Sequence, residues 1–354
     1  MIGWLQQLFA ESPAASWSVV GAVVTAIVCG TLTRPAMVAC DTPVHRWPAL
    51  MTLVGLLFGA ALAFSMHELQ CQQTPEVRPS QTWIDLRIVY HSVCVGLLLV
   101  IAATDLASLY IPNFVVYWGL GIAIVGAVFS GQLQMAHLWV DWNEEIPQMR
   151  GPYIPEWIQQ HQHWHGLGWS TVGALVGAGL TAVVRKTAAF AWGRPAMGAG
   201  DITLMAMIGA FLGWQATVVA FFVAPLLALV FGPLARRISR ESAVPYGPFL
   251  ALGAILVMVS WRWVWMYEID ISTVGPGALD DRATAFAIRR FFGDWVLLAG
   301  LGVVTLGGTV GLMSLLRLFW KIPIERDIAD RDPLNLPQSA VAASPEDASP
   351  EIPA

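Results

Sequence analysis

The chain has 354 residues, 56% of them hydrophobic and only 12% charged, with a mean hydropathy of +0.61. Those figures exclude a soluble globule and indicate an all-α, polytopic membrane helix bundle. A formal net charge of −5, with no basic block, gives no basis for nucleic-acid binding.

The start, Met1–Ser16, carries Glu11 and no Lys or Arg, so no cleavable signal peptide is expected. Apolar runs predict helices over 17–33, stopped by Arg34, and over 49–66. A polar loop with Glu68, Glu76 and Arg78 follows. The third helix, 86–106, ends at Asp105, and Pro112-Asn113 turns the chain into a fourth over 113–130, with Asn113 as its N-cap. Residues 131–167 form the longest internal loop. Helix five, 168–185, carries Gly173 and Gly177 in the small-xxx-small spacing that lets membrane helices approach closely. The run 201–212 is too short to span and breaks at Gly213. The remaining helices are expected over 214–235 (kinked at Pro225), 247–266 and 294–316, giving roughly eight segments. The tail from Lys321, rich in Pro, Ala, Ser and acid, is expected to be disordered. The domain reading is 1–85 for the N-terminal membrane segments, 86–320 for the main membrane domain and 321–354 for the tail.

Twelve of the 19 Lys and Arg fall in one set of alternate loops: 34–48, 107–112, 185–200, 236–246 and the tail. That side is expected to be cytoplasmic. The opposite loops hold most of the Trp residues, including Trp261, Trp263 and Trp265, as an interfacial belt would.

Two acids stand out. Gly198-Ala199-Gly200-Asp201 opens the short apolar run, and Asp105 closes another. Ionisable groups at a membrane edge are costly and mark function by default. The plain alternative for either one alone is an ordinary helix end. Asp85 and Asp294 also sit at helix ends, but on the opposite face, so Asp105 and Asp201 are the same-side pair. Two carboxylates held together share a proton, which suits general acid and base work on a peptide carbonyl. The pair titrates as a unit, and the sequence does not say which member is the base. Gly198 and Gly200 would let backbone approach a substrate strand and allow positive φ, or form an ordinary turn.

Other candidates are weaker. His161, His163 and His165 would share one face of a strand and could bind a metal, though a polar interfacial loop is the better reading, and no metal or cofactor is expected. His91 reads as a buried, hydrogen-bonded helix residue. The four cysteines, Cys29, Cys40, Cys71 and Cys94, form no close-spaced pair, and Cys29 and Cys94 read as small packed residues.

Three motifs in order carry a resemblance. Ala102-Ala103-Thr104-Asp105 with Ile111-Pro112-Asn113, then Gly193–Asp201 running into Ile208–Trp214, then Tyr246–Gly253, resemble the type IV prepilin peptidase family over residues 86–266. The resemblance implies a multi-pass aspartic peptidase of the bacterial inner membrane. It would remove leader peptides from prepilin-like or pseudopilin precursors at the cytoplasmic face, with Asp105 and Asp201 as the catalytic pair. Its precursors and the lipid bilayer would be its partners. The family usually has Lys two residues after the second aspartate, and here that position is Thr203. Bifunctional members carry paired Cys-x-x-Cys motifs in an N-terminal methyltransferase part. Here that region is reduced to Arg34–Pro48, so cleavage without N-methylation is expected. The alternatives are a catalytically idle assembly component of the same fold and a proton-coupled transporter.

Overall fold

A computed structural model describes residues 13–44, 46–140, 145–146, 151–152, 154–192, 197–239, 245–270 and 285–321. The segment before Pro13, the Gly193–Ala196 part of the second motif and the tail beyond Lys321 lie outside the described residues. The disorder expected of the tail lies there too.

The chain is built from helices α1 (Pro13–Ala39), α2 (Trp47–His67), α3 (Gln81–Ser108), α4 (Asn113–Ser130), a short α5 (Glu156–Gln160), α6 (Gln162–Trp192), α7 (Ala199–Leu212), α8 (Trp214–Ser239), α9 (Gly247–Trp265), a short α10 (Ile288–Gly293) and α11 (Trp295–Lys321). Two small antiparallel pairs join them. β1 (Glu145–Ile146) meets β2 (Gly151–Pro152), and β3 (Glu268–Asp270) meets β4 (Ala285–Ala287), with Glu268 opposite Ala287. Helices dominate because a segment in hydrocarbon must satisfy its own backbone polar groups.

Among the described residues seven helices are long and apolar enough to cross a membrane, against the roughly eight segments expected. The eighth is α11, whose described apolar stretch, Trp295–Val304, is shorter than a span. Arg34 does not stop α1, which continues through Pro35 to Ala39. A long basic side chain can lay its stem along the helix and its head in water, so a charge near the membrane edge does not require an end. The helix stops where Asp41 takes a positive φ of 50°. Asn113 is the first helical residue of α4, and Pro112 is its N-cap, since proline's fixed φ suits the entry to a helix.

α3 is the central helix. In its most apolar stretch 78% of residues are buried, against 28% in α6 and α8. Around it, paired helices close on glycine. A Cβ on Gly21 of α1 would lie 2.5 Å from the Gly59 carbonyl of α2. Gly173 and Gly177 of α6 pack in the same way on the backbone of Gly209 and Met205 of α7. Ser170 Oγ completes that seam by donating to the Ala210 carbonyl at 2.9 Å. α7 ends at Gly213, whose φ of +77° and contact with the Trp169 indole leave room for no side chain.

The connecting loops gather at two ends. At one end the α3–α4 turn meets the starts of α7 and α9. At the other, the Arg262 N–H donates to the Cys71 carbonyl at 2.7 Å, and the Trp214 indole N–H donates to the Leu138 carbonyl at 2.7 Å. The Trp residues of this second end divide. Trp157, Trp164 and Trp263 are exposed, as a belt requires, but Trp261 and Trp265 are buried and stack on each other at 4.9 Å. They face inward because they lie one helical turn apart on the α9 face turned to the core.

Candidate active site

Asp105 lies in the last turn of α3. The helix closes there because Leu109 adopts the left-handed conformation (φ 56°) and its N–H caps the Asp105 carbonyl at 2.8 Å. The chain then turns through Tyr110 and Ile111 into Pro112. Ile111 is buried and rests on Gly200, where a Cβ would come within 2.9 Å of the Ile111 Cβ. That close approach docks the α3–α4 turn on the start of α7. Here the structure corrects one expectation: neither Gly198 nor Gly200 has positive φ. The positive-φ glycines among the described residues are Gly131 and Gly213. Gly200 matters for closeness, and Gly198 is the N-cap of α7, with φ −67°.

Asp201 is the third residue of α7 and turns back to accept the Gly198 N–H at 2.9 Å. Asp105 Oδ2 accepts the Gly247 N–H at 2.8 Å, from the first residue of α9. Both carboxylates are therefore held at helix N-termini, where backbone donors and the helix dipole favour an anion. The two sites differ in one respect. Asp105 also lies at the C-terminal, negative end of its own helix, whereas no such opposing end acts on Asp201 in α7. Each acid gives one oxygen to a backbone donor, which leaves its other oxygen for water or substrate.

Asp105 and Asp201, each only 6% exposed, line one cavity of ≈ 750 Å³ together with Tyr110, Tyr117, Thr203 and Tyr246. Thr203, where the resembled family usually has Lys, donates its hydroxyl back to the Gly200 carbonyl at 2.9 Å. The Arg185 guanidinium of α6 is within electrostatic reach of Asp201. Tyr246, the N-cap of α9, lines the cavity within electrostatic reach of Asp201. Burial and the Asp201 carboxylate together push the phenol up to about 12, so it is a neutral donor.

The histidines take other roles. His163 and His165 lie on α6 rather than on a strand, because the helix starts at Gln162, more than a turn before its apolar run. His163 Nδ1 lies 2.8 Å from the Val128 carbonyl, and His165 Nε2 accepts the Leu138 N–H at 3.1 Å. His161 Nδ1 lies 3.2 Å from the Trp157 carbonyl. Among the described residues no group of three or more His, Cys, Asp or Glu could hold a metal ion. His91 is fully buried, as expected, with its ring toward the Phe211 backbone. Asp294 has the plain role of an N-cap, accepting the Val296 and Leu297 N–H groups of α11.

The second end holds a polar cluster that sequence reasoning placed in an ordinary loop. Glu76 is 5% exposed and accepts the Trp265 indole N–H at 2.6 Å, while His137 Nε2 lies 3.0 Å from the Glu76 carbonyl. Burial pushes the Glu76 carboxyl up and the His137 imidazole down from their ordinary values. The available signal was Pro75-Glu76-Val77, an acid between apolar neighbours inside a polar loop.

Residues 154–233 match the type IV leader peptidase family, and a prepilin leader peptidase/N-methyltransferase of Pectobacterium carotovorum subsp. carotovorum is 29% identical over 210 residues, 53% of this chain and 72% of that protein. Over these stretches the chain is similar to type IV leader peptidases. The leader peptidase match takes in α6, α7 and Asp201, and ends before α9. A protein of the same name from Aeromonas salmonicida (strain A449) is 27% identical over 121 residues, 33% of this chain and 38% of that protein. Another from Legionella pneumophila is 34% identical over 65 residues, 18% of this chain and 23% of the relative. The chain thus spans 38% of the length of the Aeromonas relative. No solved structure matches it.

Proposed function

We propose that this multi-pass membrane protein is an aspartic endopeptidase that removes the leader peptide from prepilin-like or pseudopilin precursors. The observation that carries the reading is the shared cavity of ≈ 750 Å³, into which α3 and α7 each bring one buried carboxylate held by a backbone N–H. The relatives' printed names and the family match support the substrate class.

In the mechanism, one carboxyl is protonated and the other ionised. The ionised member takes a proton from a water molecule, whose oxygen attacks the scissile carbonyl carbon. The protonated member donates to the carbonyl oxygen. Collapse of the tetrahedral species returns a proton to the leaving amine and regenerates the pair. Asp201 takes the charged role, since the dipole of α7 favours its anion without opposition, and Asp105 takes the acid role. The burial of both carboxylates strengthens these interactions.

The active end faces the cytoplasm of a bacterial inner membrane in this reading, on the strength of the Lys and Arg bias. A Cys introduced near Ala188 should resist labelling from outside, and one near Gln148 should accept it. The reverse pattern would put the carboxylates on the wrong face.

The protein cleaves without methylating. Cys40 lies at the cavity end, Cys71 hydrogen-bonds to the Met258 carbonyl at the opposite end, and Cys29 and Cys94 are buried between them. No close-spaced thiol pair is available to build a small metal-held domain. Co-expression with a type IV prepilin should give the faster-migrating mature form. Mass spectrometry of its new N-terminus should find no added methyl group. An unshifted precursor would sink the peptidase reading, and a methylated product the second half of it.

A further inference from the structure

The dipeptide Tyr246-Gly247 at the start of α9 stands over the acid pair. Gly247 gives its N–H to Asp105 at 2.8 Å. Tyr246 lines the same cavity, and its hydroxyl is buried without a hydrogen-bond partner. A buried hydroxyl left unpaired is costly, and such groups at a site call for an explanation. Water does not supply the partner, because the oxygen is closed off from solvent. The phenol stays protonated across the working range, so it has a hydrogen bond to give. The charged group it senses is Asp201.

We propose that Tyr246 is a positioning residue of the acid pair: its hydroxyl donates to the Asp201 carboxylate and so makes Asp201, rather than Asp105, the member that carries the charge. One dipeptide then addresses both acids, Gly247 through its backbone and Tyr246 through its side chain. The inference rests on the peptidase reading and goes beyond it by naming a side chain that reinforces the asymmetry of the pair. The other titratable and charged groups facing the pair are Arg185 from α6, Tyr110 and Tyr117 from the α3–α4 corner, and Cys40 and Asp41 from the α1–α2 loop. Arg185 also favours charge on Asp201. Tyr246 and Arg185 therefore act in one sense.

The test is the pH dependence of leader removal by the full chain in detergent or vesicles. A donor to an anion lowers the pH at which that anion forms, so removing it raises that pH. Tyr246→Phe, which deletes one oxygen, should therefore move the acidic limb of kcat up by about one pH unit, as expected for one hydrogen bond to a charged group. KM should hold. Replacing Tyr246 by 3-fluorotyrosine, a stronger donor of the same shape, should move the limb the opposite way. A limb that stays put in both variants would overturn the proposal. So would a uniform loss of kcat at every pH, which marks simple packing. Asp201→Asn is run alongside. Retained cleavage there would sink the aspartic reading itself, whereas a dead Asp201→Asn with an unmoved Tyr246→Phe limb sinks only the role of Tyr246.

Discussion

The two ends of the bundle handle buried polar groups in opposite ways. At the cavity end, Asp105 and Asp201 are each tethered by one backbone N–H and open onto a cavity of ≈ 750 Å³. At the far end, Glu76 is clamped by the Trp265 indole and His137 packs against His165; Glu76 and His137 line a cavity of ≈ 450 Å³ as well as a small one of ≈ 10 Å³. The first arrangement brings two carboxylates to one cavity, and the second brings a single carboxylate, Glu76, to its own. The lesson is that burial of an acid does not by itself mark chemistry. What separates the ends is whether a second carboxylate shares the cavity. At the far end the polar groups tie loops together, and buried groups in that position specify structure.

The sharpest way to break this contrast is to neutralise the acids at the cavity end. Asp105→Asn and Asp201→Asn should each abolish leader removal while the protein still inserts and folds. The double variant should be no worse than either single one, since members of a catalytic unit are not additive. Measured cleavage by quantitative gel shift decides it, and substantial product from either single variant would remove that residue from the pair.

A smaller effect is expected from the tethers. Gly247→Ala would place a Cβ 2.7 Å from Asp105 Oδ2 and 3.1 Å from its Cγ, so the carboxylate must move. A displacement of about 1 Å at reacting groups can cost roughly a hundredfold in rate. Gly198→Ala places its Cβ 3.5 Å from Asp201 Oδ2, an ordinary contact, and should leave the rate within about tenfold, the cost of a weakened N-cap. Equal losses in the two variants would show that neither tether is steric.

At the far end the effect falls on stability and leaves turnover alone. Burial raises the Glu76 carboxyl, so the folded state holds that proton more tightly than the unfolded one. Its contribution is therefore full at low pH and is lost as pH rises above the ordinary carboxylate range. His137 is lowered, and its contribution is lost as pH falls through the ordinary imidazole range. Glu76→Gln keeps an acceptor for the Trp265 indole and removes the first of these losses. Thermal melts between about pH 4 and pH 8 should show the fall at rising pH flattened and the fall at low pH retained. Cleavage per folded molecule should be unchanged, and a lost activity would make the far end part of the site.

Much of the fold was legible because the bilayer imposes a length on apolar runs. Seven spans, the break at Gly213 and the glycine seam of α6 all followed from the sequence. Helix ends were less legible. α1, α3 and α6 continue past their apolar runs, since a helix leaving hydrocarbon has no reason to stop at the first polar residue. Asp105 and Asp201 could be picked out by the punctuation around them. Tyr246 could not, although its motif was visible, because one tyrosine at a helix start says nothing of where its hydroxyl points. Glu76, Trp261 and Trp265 were misplaced for a related reason. A buried cluster that forms between a loop and a distant helix has no local period to read.

The smallest expected effect concerns the turn that aims Asp105. Leu109 sits at φ 56°, ψ 28°, a conformation that costs a residue with a Cβ about 1–2 kcal/mol. Glycine would adopt it without that penalty but gives up about 0.5–1 kcal/mol of chain entropy. Leu109 is also at the edge of exposure and lines the cavity, so its side chain forms cavity wall rather than core. Leu109→Gly should therefore fold with a stability within about 1 kcal/mol of the parent, while Leu109→Ala, which keeps the strain and loses the side chain, should be the less stable of the two. That ordering is the reverse of what glycine and alanine show inside a helix. Both variants should raise KM for the precursor, because both remove the same wall of the cavity. If alanine proves the more stable, the left-handed turn is not what closes α3, and the position of Asp105 is set by its bond to Gly247 alone.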